Sequence, residues 1–384
     1  MRKMAPPFTS FSSQVALTIA ITTSFFFILS SSLPSSSTST TSPPQPFKKV
    51  YAFGDSNTDT GNTKAAENLP YGRTFFHHPT NRFSDGRLVI DFVTQALALP
   101  FLPPYLDHNA DKSTGVNFAV AGSTAISHGF FVKNNITTLG FTPESLETQL
   151  DWFNKHLEAQ GCKGAAATRS QCDEAVNGAL FWVGEIGAND YAYTTGSSVS
   201  STTVQQLAIE SVTVFLQALL TKGAKHIVVQ GLPPTGCYTL ALAMFQNYER
   251  DDIGCVASPN HQSYRHNAAI QSNLHDLRTQ FPNSVIVYAD FWNSYRNIVK
   301  NAGRFGFRQP FKACCGSYDF QESVTCGLRS SSSCPDPSEY INWDGVHLTE
   351  AMHKALSDSF LQGSFCHPPF KNLLARKNQT GGEY

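Results

Sequence analysis

Short, largely apolar runs recur along the chain, separated by longer stretches with a helical period. Val50–Phe53, Val116–Val120, Ala179–Val183, Ile227–Val229 and Val285–Tyr288 are brief runs of the kind that predict strands buried on both faces. Between them, Leu88, Phe92, Val93 and Leu97 predict a helix over Asp85–Leu97, opened by its aspartate. Leu146, Leu150, Phe153 and Leu157 share one face of a second helix. Val204–Leu220, Asn260–Phe281 (stopped by Pro282) and Leu348–Leu361 complete the helical set. Strands alternating with helices predict an α/β fold, a three-layer sandwich around a mostly parallel five-stranded sheet. No Gly- or Pro-rich linker and no internal repeat divides it. In such sheets ligands bind beyond the carboxyl ends of the strands. The polar residues that follow each strand are therefore the candidates for chemistry.

The amino terminus departs from this pattern. Arg2 and Lys3 precede an uncharged apolar stretch from Val15 to Leu29, shorter than the roughly 20 residues of a membrane span. Ser30, Ser31 and Ser32 follow it, so residues 1–32 read as a secretory signal peptide. Residues 33–47 are Ser-, Thr- and Pro-rich and read as a disordered leader. The folded domain is expected over residues 48–365, with 366–384 as a tail. No other stretch reads as a membrane span.

Composition fits an exported globular protein. Hydrophobic residues make up 41%, enough for a core, and the 15% of charged residues with a net charge of -1 offers no surface for a nucleic-acid backbone. All nine cysteines lie beyond residue 160 and lack zinc-ligand spacing, so disulfides in an oxidising compartment are expected. Cys162 and Cys172 are placed to staple a polar loop. The adjacent Cys314 and Cys315 should take different partners, and an odd count leaves one thiol over. Asn135-Ile136-Thr137 and Asn378-Gln379-Thr380 are glycosylation sequons.

Three polar clusters follow predicted strands. Gly54-Asp55-Ser56-Asn57-Thr58-Asp59 puts a serine just beyond the first strand, where free backbone N–H groups favour an oxyanion. The plainer reading is that Ser56 or Thr58 only caps a helix. Asp344 and His347 are three apart, a spacing that lets a carboxylate fix the imidazole tautomer so that the other ring nitrogen takes a serine proton. A capping aspartate beside an incidental histidine has the same spacing. Gly122 closes Asn117-Phe118-Ala119-Val120-Ala121-Gly122, and Asn189 follows the Phe181–Val183 run. Both are candidate donors to an oxyanion, although Asn189 and Asp190 also suit a simple polar turn, with Asp190 as a structural carboxylate. Arg82, Arg87 and Gln149 read as structural: the arginines pin Asp85 or the first loop, and Gln149 sits on the polar side of its helix. No phosphate loop, GxGxxG, HExxH or GxSxG is present.

Taken together, these blocks resemble the GDSL-type esterase/lipase family of the SGNH hydrolases, specifically its plant branch. Gly54-Asp55-Ser56, Gly122, Gly187-Ala188-Asn189-Asp190 and Asp344-Gly345-Val346-His347 match four blocks in order. RFSDGR at 82–87, LPPTGC at 232–237 and ACCG at 313–316 match accessory motifs. The resemblance implies a flavodoxin-like fold, no cofactor and no metal. It assigns Ser56 as nucleophile, His347 as general base and Asp344 as its orienting carboxylate. The N–H groups of Ser56 and Gly122 and the side chain of Asn189 would form the oxyanion hole. Asn57 stands where the family name has leucine, and Leu348 where plant members commonly have proline. Neither removes a reacting group. The implied activity is a secreted serine esterase acting on a small-molecule, glycan, phenolic or lipid ester, in the extracellular space, cell wall or vacuole. An acyltransferase using the same acyl-enzyme, and a catalytically silent secreted binding protein, are the alternatives.

Overall fold

The computed structural model describes residues 47–136, 142–162, 169–318 and 323–375. The signal peptide, residues 33–46 of the leader and Asn378 lie outside them, as does Thr137 of the other sequon; Phe47, the last leader residue, is instead fully buried in the core. Strands β1 (Lys49–Phe53), β2 (Gly115–Asn117), β3 (Ala179–Val183), β4 (His226–Gln230) and β5 (Val285–Ala289) lie parallel in the order β5-β4-β3-β1-β2. This is the flavodoxin-like order with β1 at the switch point. A sixth strand, Cys366–His367, pairs antiparallel with β5 at the edge.

Both sheet faces are covered, which is why the strands read as continuous apolar runs. Tyr51, Phe53, Phe181 and Val183 pack with Phe153, Leu157, Val212, Phe215 and Leu219 from helices Leu146–Ala159 and Ser201–Thr221. The alternate positions Val50, Ala52, Leu180 and Trp182 pack with Val89, Val93, Met352, Leu356 and Phe360 from helices Val89–Ala96 and Glu350–Leu361. Among the described residues only Ser201–Thr221 is long and apolar enough to cross a membrane, a property its sequence pattern alone did not flag. Its apolar residues Val204, Ala208, Val212, Leu216 and Leu219 are buried in this core.

The elements depart from expectation where side chains capture backbone. β2 ends at Asn117 instead of Val120, because the Asn117 amide donates to Thr58 O (2.6 Å) and accepts from Ala119 N (2.9 Å). Asp85 does not open its own helix, which starts at Val89 with Asp91 accepting from Leu88 N. Instead Asp85 accepts from Glu350 N (2.7 Å), at the head of the last helix. Of the expected tail, residues 366–375 pack on the domain: beyond the edge strand, Phe370 and Leu373 are buried in the core. Disulfides join Cys162–Cys172, Cys237–Cys255, Cys314–Cys334 and Cys315–Cys326, so the adjacent pair does diverge. Cys366 is the buried free thiol.

Candidate active site

β1 ends at Phe53, and Gly54 turns the chain with φ +137. A Cβ there would lie 3.0 Å from Glu185 O, so the loop after β1 runs hard against the loop after β3. No helix follows; Ser56–Thr58 form a turn, so Ser56 is not a helix cap. The turn is fixed from several sides. Thr58 N and Asp59 N donate to Asp55 O (3.0 and 2.9 Å). The Asp59 carboxylate accepts from the N–H groups of Gly61, Asn62, Thr63 and Ala121, tying this loop to the segment that reaches Gly122.

Gln149 turns out to be central to that anchoring. It is fully buried, its Oε1 accepts from Gly54 N (2.9 Å), and its Nε2 donates to Gly54 O (2.8 Å) and to the Ser123 hydroxyl (3.0 Å). The expected polar-side placement was wrong. Position 149 falls within the apolar stripe of Leu146, Leu150 and Phe153, which was the available signal. Arg82 is structural as expected, but its partners are Asp91 (2.8 Å, two bonds) and Thr60 O of the first loop (3.3 Å). Arg87 pairs with Glu350.

Gly122 has φ +82, and its carbonyl accepts from the Tyr193 hydroxyl (2.7 Å). Among the described residues, the N–H groups of Ser56 and Gly122 and the Ser56 hydroxyl make no hydrogen bond. Asn189 Nδ2 donates to Ser123 O (3.0 Å) and Asp55 Oδ2 (3.2 Å), which brings Asn189 to the loop after β1. Asp190 is a structural carboxylate: it accepts from Ala125 N and Ile126 N (2.9 Å each), and burial pushes its pKa up to about 7 despite those bonds.

Asp344 and His347 meet directly. His347 Nδ1 lies 2.8 Å from Asp344 Oδ2 and 3.0 Å from Oδ1. Asp344 also accepts from Val346 N and His347 N at Oδ1 (2.8 Å each) and from the Tyr71 hydroxyl at Oδ2 (2.9 Å). Thr239 holds the Asp344 carbonyl, and Phe83 packs on the imidazole with ring centroids 4.9 Å apart. Nothing in the sequence announced Tyr71 or Thr239, which come from distant segments. Burial opposes charging of the His347 ring, but the Asp344 charge and hydrogen bond, aided by Asp55, lift its pKa above the ordinary value. Burial likewise opposes the Asp344 charge, and the His347 charge, the His347 ring hydrogen bond and the backbone N–H groups of Val346 and His347 bring its pKa below the usual range. Among the described residues no cluster of His, Cys, Asp and Glu is arranged to hold a metal ion.

The GDSL-like Lipase/Acylhydrolase family matches residues 50–360. A GDSL esterase/lipase of Arabidopsis thaliana, At3g48460, is 52% identical over 352 residues, covering 87% of this chain and 90% of its own length. Acetylajmalan esterase 2 of Rauvolfia serpentina is 37% identical, with 80% and 88% covered. Sinapine esterase of Brassica napus is 36% identical, with 84% and 87% covered. With an SGNH-type α/β/α fold and a match across nearly all of that fold, the chain belongs to the GDSL lipase/acylhydrolase family and is a carboxylic ester hydrolase.

Proposed function

We propose that the chain is a secreted serine esterase in which Ser56 attacks the ester carbonyl and His347 removes its proton. The observation that carries this reading is the Asp344–His347 pair. The carboxylate accepts a hydrogen bond from Nδ1–H and fixes the proton there, which leaves Nε2 as the ring's basic nitrogen, on an imidazole whose charge is favoured by Asp55 as well as Asp344. As the serine oxygen bonds to the carbonyl carbon, charge moves to the carbonyl oxygen. The unengaged N–H groups of Ser56 and Gly122 and the Asn189 amide are the proposed donors to it. Protonated His347 then gives its proton to the departing alcohol. Water attacks the acyl-serine with His347 again as base, and the carboxylic acid leaves. The raised His347 pKa suits both roles, since base and acid must alternate.

Relatives named for acetylajmalan and sinapine support a small soluble ester as substrate. The apolar stretch at Val15–Leu29 and the four disulfides support export, and Asn135, exposed on its loop, is the proposed glycan site among the described residues. The test is hydrolysis of p-nitrophenyl esters from acetate to palmitate by wild type and Ser56→Ala, with mass-spectrometric mapping of an organophosphonate adduct. Turnover and labelling at Ser56 in wild type only are expected. A Ser56→Ala enzyme with wild-type turnover would remove Ser56 from the reaction.

A further inference from the structure

Glu185 lies two residues beyond β3, between Gly184 and Gly187, and is fully buried; Asp55, on the loop after β1, is 1% exposed. A single side-chain amide bridges their carboxyl groups: Asn57 Nδ2 lies 3.0 Å from Glu185 Oε2 and 3.4 Å from Asp55 Oδ1. Glu185 Oε1 accepts from Ala188 N (3.1 Å), the residue before Asn189, and the Glu185 carbonyl accepts from Asp55 N (3.2 Å). Asp55 Oδ1 accepts from Asn57 N (3.0 Å), and Oδ2 receives the Asn189 amide. Among the described residues no lysine or arginine forms an ion pair with either carboxyl.

We propose that Glu185 is a positioning residue for ester cleavage: it shares one proton with Asp55, and the pair, clamped by Asn57, holds the Ser56 loop and the Asn189 amide in register. The inference rests on the esterase reading above. Two ionised carboxylates cannot sit across one amide in a dry site without a cation, so one proton stays between them. The other titratable groups that act on the pair are His347 across the site, Asp190 and Tyr193 on the segment after β3, and Tyr238. None is a fixed cation. With a single negative charge, Asp55 is a moderate acceptor, and the 3.2 Å bond from Asn189 is one the amide can redirect to an oxyanion. With two charges, Asp55 would hold that N–H and oppose the negative charge forming on the carbonyl oxygen. Asn57 thus has a role that the apolar leucine of the family name lacks: it ties the nucleophile turn to Glu185.

The experiment measures kcat and KM for Glu185→Ala and Glu185→Gln, each alone and with Asn189→Ala, alongside Ser56→Ala. Urea stability of wild type and Glu185→Gln is followed against pH. Glu185→Ala should lower kcat at least about tenfold with KM moved less than about threefold, because the contact it supports acts in the transition state. Glutamine presents a donor to Asp55 without an ionisable proton, so Glu185→Gln should restore kcat to within about threefold of wild type. With Asn189 already removed, Glu185→Ala should cost less than about threefold more, since both act through one contact. The stability difference should move in favour of Glu185→Gln as pH rises above the ordinary glutamate range. There the unfolded wild type releases a proton that the folded pair retains. Additive effects with Asn189→Ala, a glutamine variant as poor as alanine, or a stability difference flat with pH would overturn the proposal. An inactive Ser56→Ala beside additive Glu185 effects would overturn the positioning role alone. An active Ser56→Ala would overturn the site reading beneath it.

Discussion

Replacing Asp344 by asparagine tests the imidazole geometry most sharply, because the structure dictates how the new amide must sit. Oδ1 accepts two backbone N–H bonds, from Val346 and His347, at 2.8 Å each. An NH2 group at that position would face two donors inside a buried turn, so the amide oxygen must occupy it. The NH2 then takes the Oδ2 position, 2.8 Å from His347 Nδ1 and 2.9 Å from the Tyr71 hydroxyl. It donates to Nδ1, so the ring proton moves to Nε2, the nitrogen that must accept from Ser56. The wrong tautomer with otherwise intact geometry costs roughly 10⁴-fold in kcat, or about 5 kcal/mol of barrier. The variant also loses the charge that raises the His347 pKa. In wild type the protonated ring is inactive, so the rate should climb with pH through a midpoint above that of ordinary histidine; in Asp344→Asn the residual rate should climb at lower pH. The assay is kcat and kcat/KM for p-nitrophenyl acetate from pH 5 to 9, with circular dichroism to show an unchanged fold. A folded Asp344→Asn enzyme within tenfold of wild type would refute the tautomer argument and the role of Asp344 with it.

Two further outcomes follow from the same structure. Asn189→Ala should keep the fold, lose roughly 10²-fold or more in kcat as an oxyanion donor does, and leave KM nearly unmoved; wild-type turnover would exclude Asn189 from the hole. Acid should destabilise the fold below about pH 6.5, because His266 and His353 are buried in neutral form with pKa values pushed down to about 3. In the unfolded chain they protonate near the ordinary value. Stability present above about pH 6.5 is therefore lost as pH falls towards 3, by up to about 1.4 kcal/mol per pH unit for each ring. His353→Leu should flatten the urea-midpoint curve over that interval; an unchanged slope would show that the ring is not held neutral.

Much of this molecule is set by local rules that sequence carries. The parallel sheet was legible because strands buried on both faces need unbroken apolar runs: Ala179–Val183 has the bounds read from sequence, and Leu146–Ala159 and Ser201–Thr221 differ from their expected spans only at the ends. The four candidate blocks were legible because each follows a strand or enters a helix, where the fold has to put polar groups. The free thiol and the divergence of Cys314 and Cys315 followed from counting and adjacency. Other features depend on which distant segments meet, and no local pattern encodes that. Asp85 reads as the head of its own helix, yet it bonds to Glu350 N, 265 residues on. Tyr71 reaches Asp344 across 273 residues, and Gln149 clamps Gly54 across 95. Asp55 and Glu185 look like two unrelated acids until β1 and β3 pair in parallel and bring their carboxyl ends together. Sequence determined which groups are available and on which kind of element each sits. Only the tertiary structure decided which buried donors, acceptors and charges are shared, because burial makes a polar group's cost depend on the partner it finds.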